Sequence, residues 1–372
     1  MSTAQPDAGI FPLVEVSGSP YERGRQHGAA VPGRVRASVA LYRGQLDRRG
    51  VTPQRLLRLA QAMEKTIAAY DEAYLEELRG IAAGAGLSLA EIITVNCRTE
   101  MMFGHGALAQ APQEPDDGCT GIIVLPQASA SGKLLHAHNW DWRQECVDTG
   151  IVLLMRRSDG PDLLVFTEAG ALARHGFNSA GVSLSGNFLG SDRDYQQPAE
   201  VPLVLVRRKM LESANLCAAM KVLWGARRFC SNNLMLAQAE GEAVNLECAP
   251  DEIFWLTPDD GILVHANHWL CPAARAKLRD TGLAMTPDSL YRQRRVSAAM
   301  RATSGGVDWD TIKAALADDF AKPDGVLRHP KPSSFDSISA TVATTCMEPA
   351  SGFMHIARMP YASPRHFAKY QL

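Results

Sequence analysis

Cys119 stands directly after Gly118 and opens a β-rich run, DDGCTGIIVLP over 116–126. A glycine carbonyl is sterically open, and its backbone accepts conformations other residues avoid. A cysteine thiolate beside such a carbonyl can attack it, giving a thioester that water then hydrolyses. The product is a new chain beginning at Cys119, with a free α-amine that titrates at about 7.7–8.0. An amine poised there suits a general base. One residue would supply nucleophile and base together, the logic of N-terminal threonine hydrolases. The competing reading is a cysteine packed in a strand, and this string alone does not choose. Thr120 either assists cleavage through its hydroxyl or backbone N–H, or is an ordinary β-branched strand residue.

Two histidine pairs invite a metal reading. HAHN at 136–139 and HANH at 265–268 hold His136, His138, His265 and His268. Residues i and i+2 share one face of a strand, so a pair could bind zinc. No clear cysteine or carboxylate partners accompany them, and no metal or other cofactor is expected. The eight cysteines form no CxxC pair, and most are expected to be small buried hydrophobes.

The background is ordinary: 46% hydrophobic, 21% charged, net charge -2 over 372 residues. That balance argues against nucleic acid and anionic membrane partners. No stretch approaches the roughly 20 apolar residues of a membrane span. The N-terminus lacks a basic region followed by an apolar one, so no signal peptide and a cytoplasmic location are expected.

The elements that must position Cys119 come in blocks. The first hundred residues read as mainly helical, with Gly80, Gly84 and Gly86 as punctuation and Ser88 with Glu91 as a capping box. Residues 104–118 are rich in Gly, Pro, Gln and Asp and read as an exposed linker. From Cys119 onward, short β-rich runs separated by turns read as an antiparallel meander. The stretch 201–225 reads as a helix, 232–269 as strands, and 290–320 as two helices, the second capped by Asp308. The tail from 337 reads as strand, turn, strand. Strands and helices in separate blocks argue for an α+β layered protein.

DGCT at 117–120 followed by HNWDW at 138–142 resembles the acyl-CoA:6-aminopenicillanic acid acyltransferase (isopenicillin N acyltransferase) family of self-processing N-terminal nucleophile hydrolases. GSPYERGRQHG at 18–28, NSAGVSLSGN at 178–187, NNLMLAQAEGEAVNLE at 232–247, HANHW at 265–269 and TVATTCMEP at 341–349 look similar too, the last with Thr345 and Cys346 in place of more usual residues. The choloylglycine hydrolase and penicillin V acylase group is a more distant likeness. The resemblance implies a four-layer αββα sandwich, with the precursor cut between Gly118 and Cys119. It assigns Asp141 to orient the new α-amine and Asn267 to the oxyanion hole. Asn187 matches a further oxyanion or substrate-side asparagine. Arg292 matches a late arginine, with Arg294 and Arg295 as competitors. His138 replaces an arginine of the choloylglycine group. His138 is also placed in the substrate pocket, with Trp140, Trp142, Phe188 and Trp269, and these four aromatic residues are expected either in the core or as walls of an acyl pocket.

The reading is one integrated domain of two segments: a mainly helical α chain (1–118) and a β chain (119–372) carrying the catalytic core, associated after cleavage. The expected activity is cysteine amidohydrolysis of a small acyl-amide through a thioester acyl-enzyme. Acyl transfer to an amine from an amide or an acyl thioester such as acyl-CoA is the main alternative, and a non-catalytic binding protein or a His-based metallohydrolase are lesser ones. Homo-oligomerisation is left open.

Overall fold

A computed structural model describes residues 9–103, 118–197, 200–333, 337–364 and 366–372. The linker expected over 104–118 therefore lies outside the described residues except for Gly118. The first segment carries β1 (Leu13–Val16) and helices α1 (Pro20–Ala30), α2 (Pro32–Arg48), α3 (Pro53–Tyr70), α4 (Glu72–Ala85), α5 (Leu89–Asn96) and α6 (Arg98–Phe103). The second opens with β2 (Cys119–Val124), β3 (Leu135–Arg143), β4 (Gly150–Met155), β5 (Leu163–Glu168), β6 (His175–Asn178) and β7 (Val182–Phe188). Helices α7 (Leu203–Leu211) and α8 (Leu216–Gly225) follow, then β8 (Asn232–Gln238), β9 (Glu242–Cys248), β10 (Ile253–Leu256) and β11 (Ile262–His265). The chain ends with α9 (Pro272–Lys277), α10 (Asp288–Arg301), α11 (Trp309–Leu316), β12 (Lys331–Pro332), β13 (Ile338–Glu348), β14 (Phe353–Arg358) and β15 (Ala368–Gln371).

Two sheets result. One runs β1-β4-β5-β6-β7-β8-β9-β10, the other β11-β2-β3-β13-β14-β15, with β12 beside β13. Every pairing is antiparallel except β1 with β4, so the expected meander has one parallel edge supplied by the otherwise helical segment. Strand β4 (GIVLLM) is buried on both faces, which is why it reads as an unbroken apolar run. On β4, Ile151, Leu153 and Met155 join the cluster formed with α2–α8, while Val152 and Leu154 turn to the other sheet. On β2, Ile122 and Val124 pack under Val296, Met300, Ile312 and Leu316 of α10 and α11. The layers are thus helix, sheet, sheet, helix: the α+β, four-layer αββα sandwich expected above. Among the described residues, no single helix is long and apolar enough to cross a membrane.

Local sequence explains the positioning elements. Ser88 and Glu91 form the capping box of α5, and Asp308 caps α11 by accepting from the Thr311 N–H. Helices α1 and α4 cross at backbone contact. A Cβ on Gly24 would run into the Glu77 carbonyl, and one on Gly80 into the Tyr21 carbonyl. One expectation is corrected: the single helix expected over 201–225 is two helices. Asn215 breaks the run by capping α8 through the Ala218 N–H, and the Asn178 amide binds the Leu211 and Ser213 carbonyls that end α7. Seven of the eight free cysteines are buried, and Cys217 is exposed.

Candidate active site

Strand alternation divides the surroundings of Cys119. Its side chain packs between the sheets with Trp140 and Phe166, while Thr120 faces the α10 side. The backbone of Gly118–Cys119 is held at several points. The Asp141 N–H donates to the Gly118 carbonyl at 2.8 Å. The Cys119 N–H donates to Asn267 Oδ1 at 2.8 Å. Arg292 Nη1 donates to the Cys119 carbonyl at 2.9 Å and to Thr120 Oγ1 at 3.0 Å, and its Nη2 donates to Asn267 Oδ1 at 2.9 Å. Arg295, a competitor for this role from sequence, instead binds Asp318 at 2.6 Å.

Arg292 belongs to a buried quartet. Its Nε donates to Asp288 Oδ2 at 2.7 Å, and Arg328 Nη2 donates to the same oxygen at 2.7 Å. Arg328 Nε lies 3.7 Å from Asp141 Oδ2, and Asp141 Oδ1 accepts from Thr341 Oγ1 at 2.6 Å. Two guanidiniums and two carboxylates balance in charge, which lets all four stay buried. Burial pushes the Asp288 carboxyl up, but Arg292 and Arg328 outweigh it and hold it below the usual range. The Gly118 Cα fits against this quartet with no room to spare. A Cβ there would lie 2.6 Å from Arg328 Nη2 and 2.9 Å from Asp141 Oδ2.

The two candidate oxyanion asparagines differ. Asn187 spends both amide hydrogens on the His265 and Ala266 carbonyls, at 2.9 and 2.7 Å, and accepts from His138 Nε2 at 3.2 Å. It holds the HANHW turn in place. Asn267 commits one amide hydrogen to the Phe188 carbonyl at 3.0 Å and so has a second to offer. Its amide orientation follows from its partners, since Cys119 N and Arg292 Nη2 are both donors. Glu247 braces the same turn, binding His265 Nε2 at 2.8 Å and the Leu270 N–H at 2.7 Å.

A cavity of about 110 Å³ opens on the Cys119 side chain's face of the strand. Trp142 and Phe188, two of the residues considered as pocket walls, line it together with Asn187. His138, Trp140 and Trp269 do not. His138 and Trp140 share the β3 face of Trp142 but sit elsewhere, His138 deeper between the sheets on Asn187 and Trp140 under the Arg174 guanidinium at 3.8 Å, while Trp269, beyond β11, packs on Phe254 and the Gly190 carbonyl. The four histidines considered for zinc are dispersed. His136 sits on Ser183 and Ser185, His265 on Glu247, and His268 on Ser289. Burial pushes His136 and His138 down to about 3, so both stay neutral.

Sequence reasoning did not single out Asp288, Arg328 or Thr341. Asp288 had a signal: an acid four residues before Arg292 on one helix face. Arg328 and Thr341 had none, because each reaches Asp141 only through the fold. The cavity's arginines, Arg98, Arg174 and Arg207, come from three separate segments and were also missed.

The profile of the acyl-coenzyme A:6-aminopenicillanic acid acyl-transferase family matches residues 128–358, a range that includes Asp141, Asn187, Asn267, Arg292 and Arg328. The acyl-coenzyme A:6-aminopenicillanic-acid-acyltransferase 40 kDa form of Emericella nidulans is 29% identical over 259 residues, 69% of each chain. An uncharacterized protein of Archaeoglobus fulgidus is 19% identical over 351 residues, 84% of this chain and 58% of that one. Among solved structures, the N-acylethanolamine-hydrolyzing acid amidase ortholog of Caenorhabditis elegans aligns at TM-score 0.43 and 13% identity, over 68% of this chain and all of that one. Penicillin V acylase from Agrobacterium tumefaciens aligns at TM-score 0.38 and 15% identity, over 64% of this chain and 82% of that one. By the extent of the profile match, the chain belongs to the acyl-coenzyme A:6-aminopenicillanic acid acyl-transferase family.

Proposed function

We propose that the chain cuts itself between Gly118 and Cys119 and that Cys119 then acts as the N-terminal nucleophile of an amidohydrolase. The observation that carries this reading is the grip on one peptide bond: its carbonyl accepts from the Asp141 N–H, its nitrogen donates to Asn267, and charged groups flank its Cα. In maturation, the Cys119 sulfur attacks the Gly118 carbonyl carbon and the oxygen gains negative charge facing the Asp141 N–H. The C–N bond then breaks, the nitrogen takes a proton, and a thioester joins Gly118 to the sulfur. Water hydrolyses it, releasing the Gly118 carboxylate and the free thiol.

The freed α-amine keeps Asn267 Oδ1 as an acceptor and has the Asp141–Arg328 pair beside it. It takes the thiol proton as the sulfur attacks a substrate amide and returns a proton to the leaving amine. The second Asn267 amide hydrogen serves the oxyanion, a kind of donor worth about 3–4 kcal/mol in comparable sites. The thioester acyl-enzyme then meets water. Transfer to an amine instead of water is the second reading, favoured by the acyltransferase at 29% identity.

Intact-mass measurement and N-terminal sequencing test the first step. Wild type resolves into 1–118 and 119–372 with Cys119 as a new N-terminus, and Cys119→Ala remains one chain. Fully active material with the 118–119 bond unbroken refutes the mechanism. A panel of acyl-amides and acyl thioesters, with and without an amine acceptor, separates hydrolysis from transfer.

A further inference from the structure

Asn267 is held at both ends by one turn of α10. Arg292 reaches its side chain, with Nη2 donating to Oδ1 at 2.9 Å. Ser289, three residues earlier on the same helix, reaches its backbone: the Asn267 N–H donates to Ser289 Oγ at 2.7 Å. Asn267 and Ser289 are both fully buried. A serine near a helix start ordinarily turns its hydroxyl to the local backbone. Ser289 does otherwise. No side chain caps α10, and this hydroxyl spans 22 residues of sequence instead.

The hydroxyl has a second partner. His268 Nδ1 lies 2.7 Å from Ser289 Oγ. Burial pushes His268 down to about 4, so its ring is neutral. The Asn267 N–H can only donate, so it occupies a lone pair of Oγ. Among the described residues, His268 Nδ1 is the one acceptor for the hydroxyl hydrogen, so Nδ1 is bare and Nε2 carries the ring proton. Other groups brace the turn around residue 267 but not its N–H. Glu247 binds His265 Nε2 and the Leu270 and Cys271 N–H groups, and Asn187 binds the His265 and Ala266 carbonyls.

We infer that Ser289 is a positioning residue for the proposed reaction: with His268 behind it, it fixes the Asn267 main chain so that the second side-chain amide hydrogen meets the oxyanion. The contacts of the Asn267 amide with Cys119, Arg292 and Phe188 aim that hydrogen only while the main chain beneath them stays in place. Ser289 and Arg292 come from one helical turn, so the two anchors keep their spacing. Removing the hydroxyl leaves the Asn267 N–H buried without its acceptor, and such a group moves toward another partner. A displacement near 1 Å costs roughly 100-fold in rate. Acylation and deacylation both pass through an oxyanion at this place, so kcat falls whichever step limits.

This inference rests on the amidohydrolase reading, and the test separates the two. Matured wild type, Ser289→Ala and Ser289→Thr are assayed on acetyl p-nitroanilide and p-nitrophenyl acetate, whose small acyl group makes little demand on the cavity. Inactivation by iodoacetamide is timed on the same samples. Ser289→Ala is expected to lose about 10–100-fold in kcat, with KM within about twofold of wild type. Ser289→Thr keeps the hydroxyl and is expected to recover most of that loss. Iodoacetamide alkylates the thiol by displacing iodide, and no oxygen gains negative charge, so that rate is expected to stay within about threefold. Wild-type kcat in Ser289→Ala overturns the inference and leaves the hydrolase standing. An equal fall in turnover and in alkylation does the same, because it marks a general loss of structure. If Ser289→Ala does not mature, Ser289→Cys, similar in size with a weaker hydrogen-bonding group, carries the same expectation, and wild-type kcat there overturns the inference. Turnover of neither compound by cut wild type removes the hydrolase reading and the inference with it.

Discussion

Gly118→Ala is the sharpest perturbation of the proposed maturation step, because it adds one methyl group and no charge. That methyl would sit 2.6 Å from Arg328 Nη2, 2.8 Å from Arg328 Cζ and 2.9 Å from Asp141 Oδ2. Ordinary contact begins near 3.4 Å, so something must move by about 0.8 Å. The neighbours are poorly placed to yield. Arg328 is tied to Asp288 at 2.7 Å, and Asp141 is tied to Thr341 at 2.6 Å and paired on both sides in its sheet. The displacement therefore falls on Gly118 and its carbonyl, the group to be attacked. A misplacement near 1 Å costs roughly 100-fold in rate, and overpacking of this kind costs about 1–3 kcal/mol of stability. Precursor made in a cell-free system and followed by intact mass should cut about 30–100-fold more slowly than wild type, at the same bond. Cutting at the wild-type rate would mean that the quartet against Gly118 does not position the scissile carbonyl.

Two further outcomes follow from the buried charges. Asp141→Asn keeps the backbone N–H on the Gly118 carbonyl but leaves the quartet with a net positive charge. It should lower kcat on any substrate by about 10–100-fold with the fold intact by circular dichroism, and unchanged kcat removes the carboxylate from the mechanism. Glu100 bears on stability. Burial raises its carboxyl from the ordinary 4.5 to about 7. A raised acid costs nothing below pH 4.5, where both states are protonated. The cost grows from pH 4.5 to about 7 and is constant above, reaching roughly 3 kcal/mol. Glu100→Gln keeps an acceptor for the Leu203 N–H, so relative to wild type it should gain stability between pH 5 and pH 8. Denaturant titrations at those two pH values check this, and a stability difference that does not vary with pH contradicts it.

The sequence carried the fold where burial on both faces wrote continuous apolar runs, as on β4 and β5, and where short-range chemistry fixed an end, as with Ser88–Glu91 and Asp308. It misled at 201–225, because the capping power of Asn215 is local but the Asn178 contact that ends α7 comes from another sheet strand. It left out β1, whose LVEV pattern gains meaning only beside β4. At the site, Cys119 was legible from its glycine, while Asp141, Asn187, Asn267 and Arg292 entered through the resemblance. Arg328 was not legible, because its relation to Asp141 is set by a β13 register 200 residues away from β3 in sequence. The pocket expectation failed for His138 and Trp140 for a different reason. They share a strand face with Trp142, but only the end of β3 reaches the cavity.

The same alternation separates two functions that a single residue must combine. Cys119 turns its backbone toward Asn267 and Arg292, with the Asp141–Arg328 pair beside Gly118, and its side chain toward the arginine-lined cavity. In the proposed mechanism, groups on the backbone side act on the nitrogen, first as part of the bond to be cut and later as the amine that moves protons. Groups on the cavity side would meet the acyl group carried by the sulfur. A substitution among Asp141, Asp288, Arg292 and Arg328 should therefore slow maturation and turnover together, whatever the substrate. A substitution at Trp142 or Phe188 on the cavity wall should change turnover while leaving the cut at 118–119 in place. Because β2 is buried on both faces, neither set can compensate for the other through solvent, and the two effects should stay separable in kinetic measurements on the same protein.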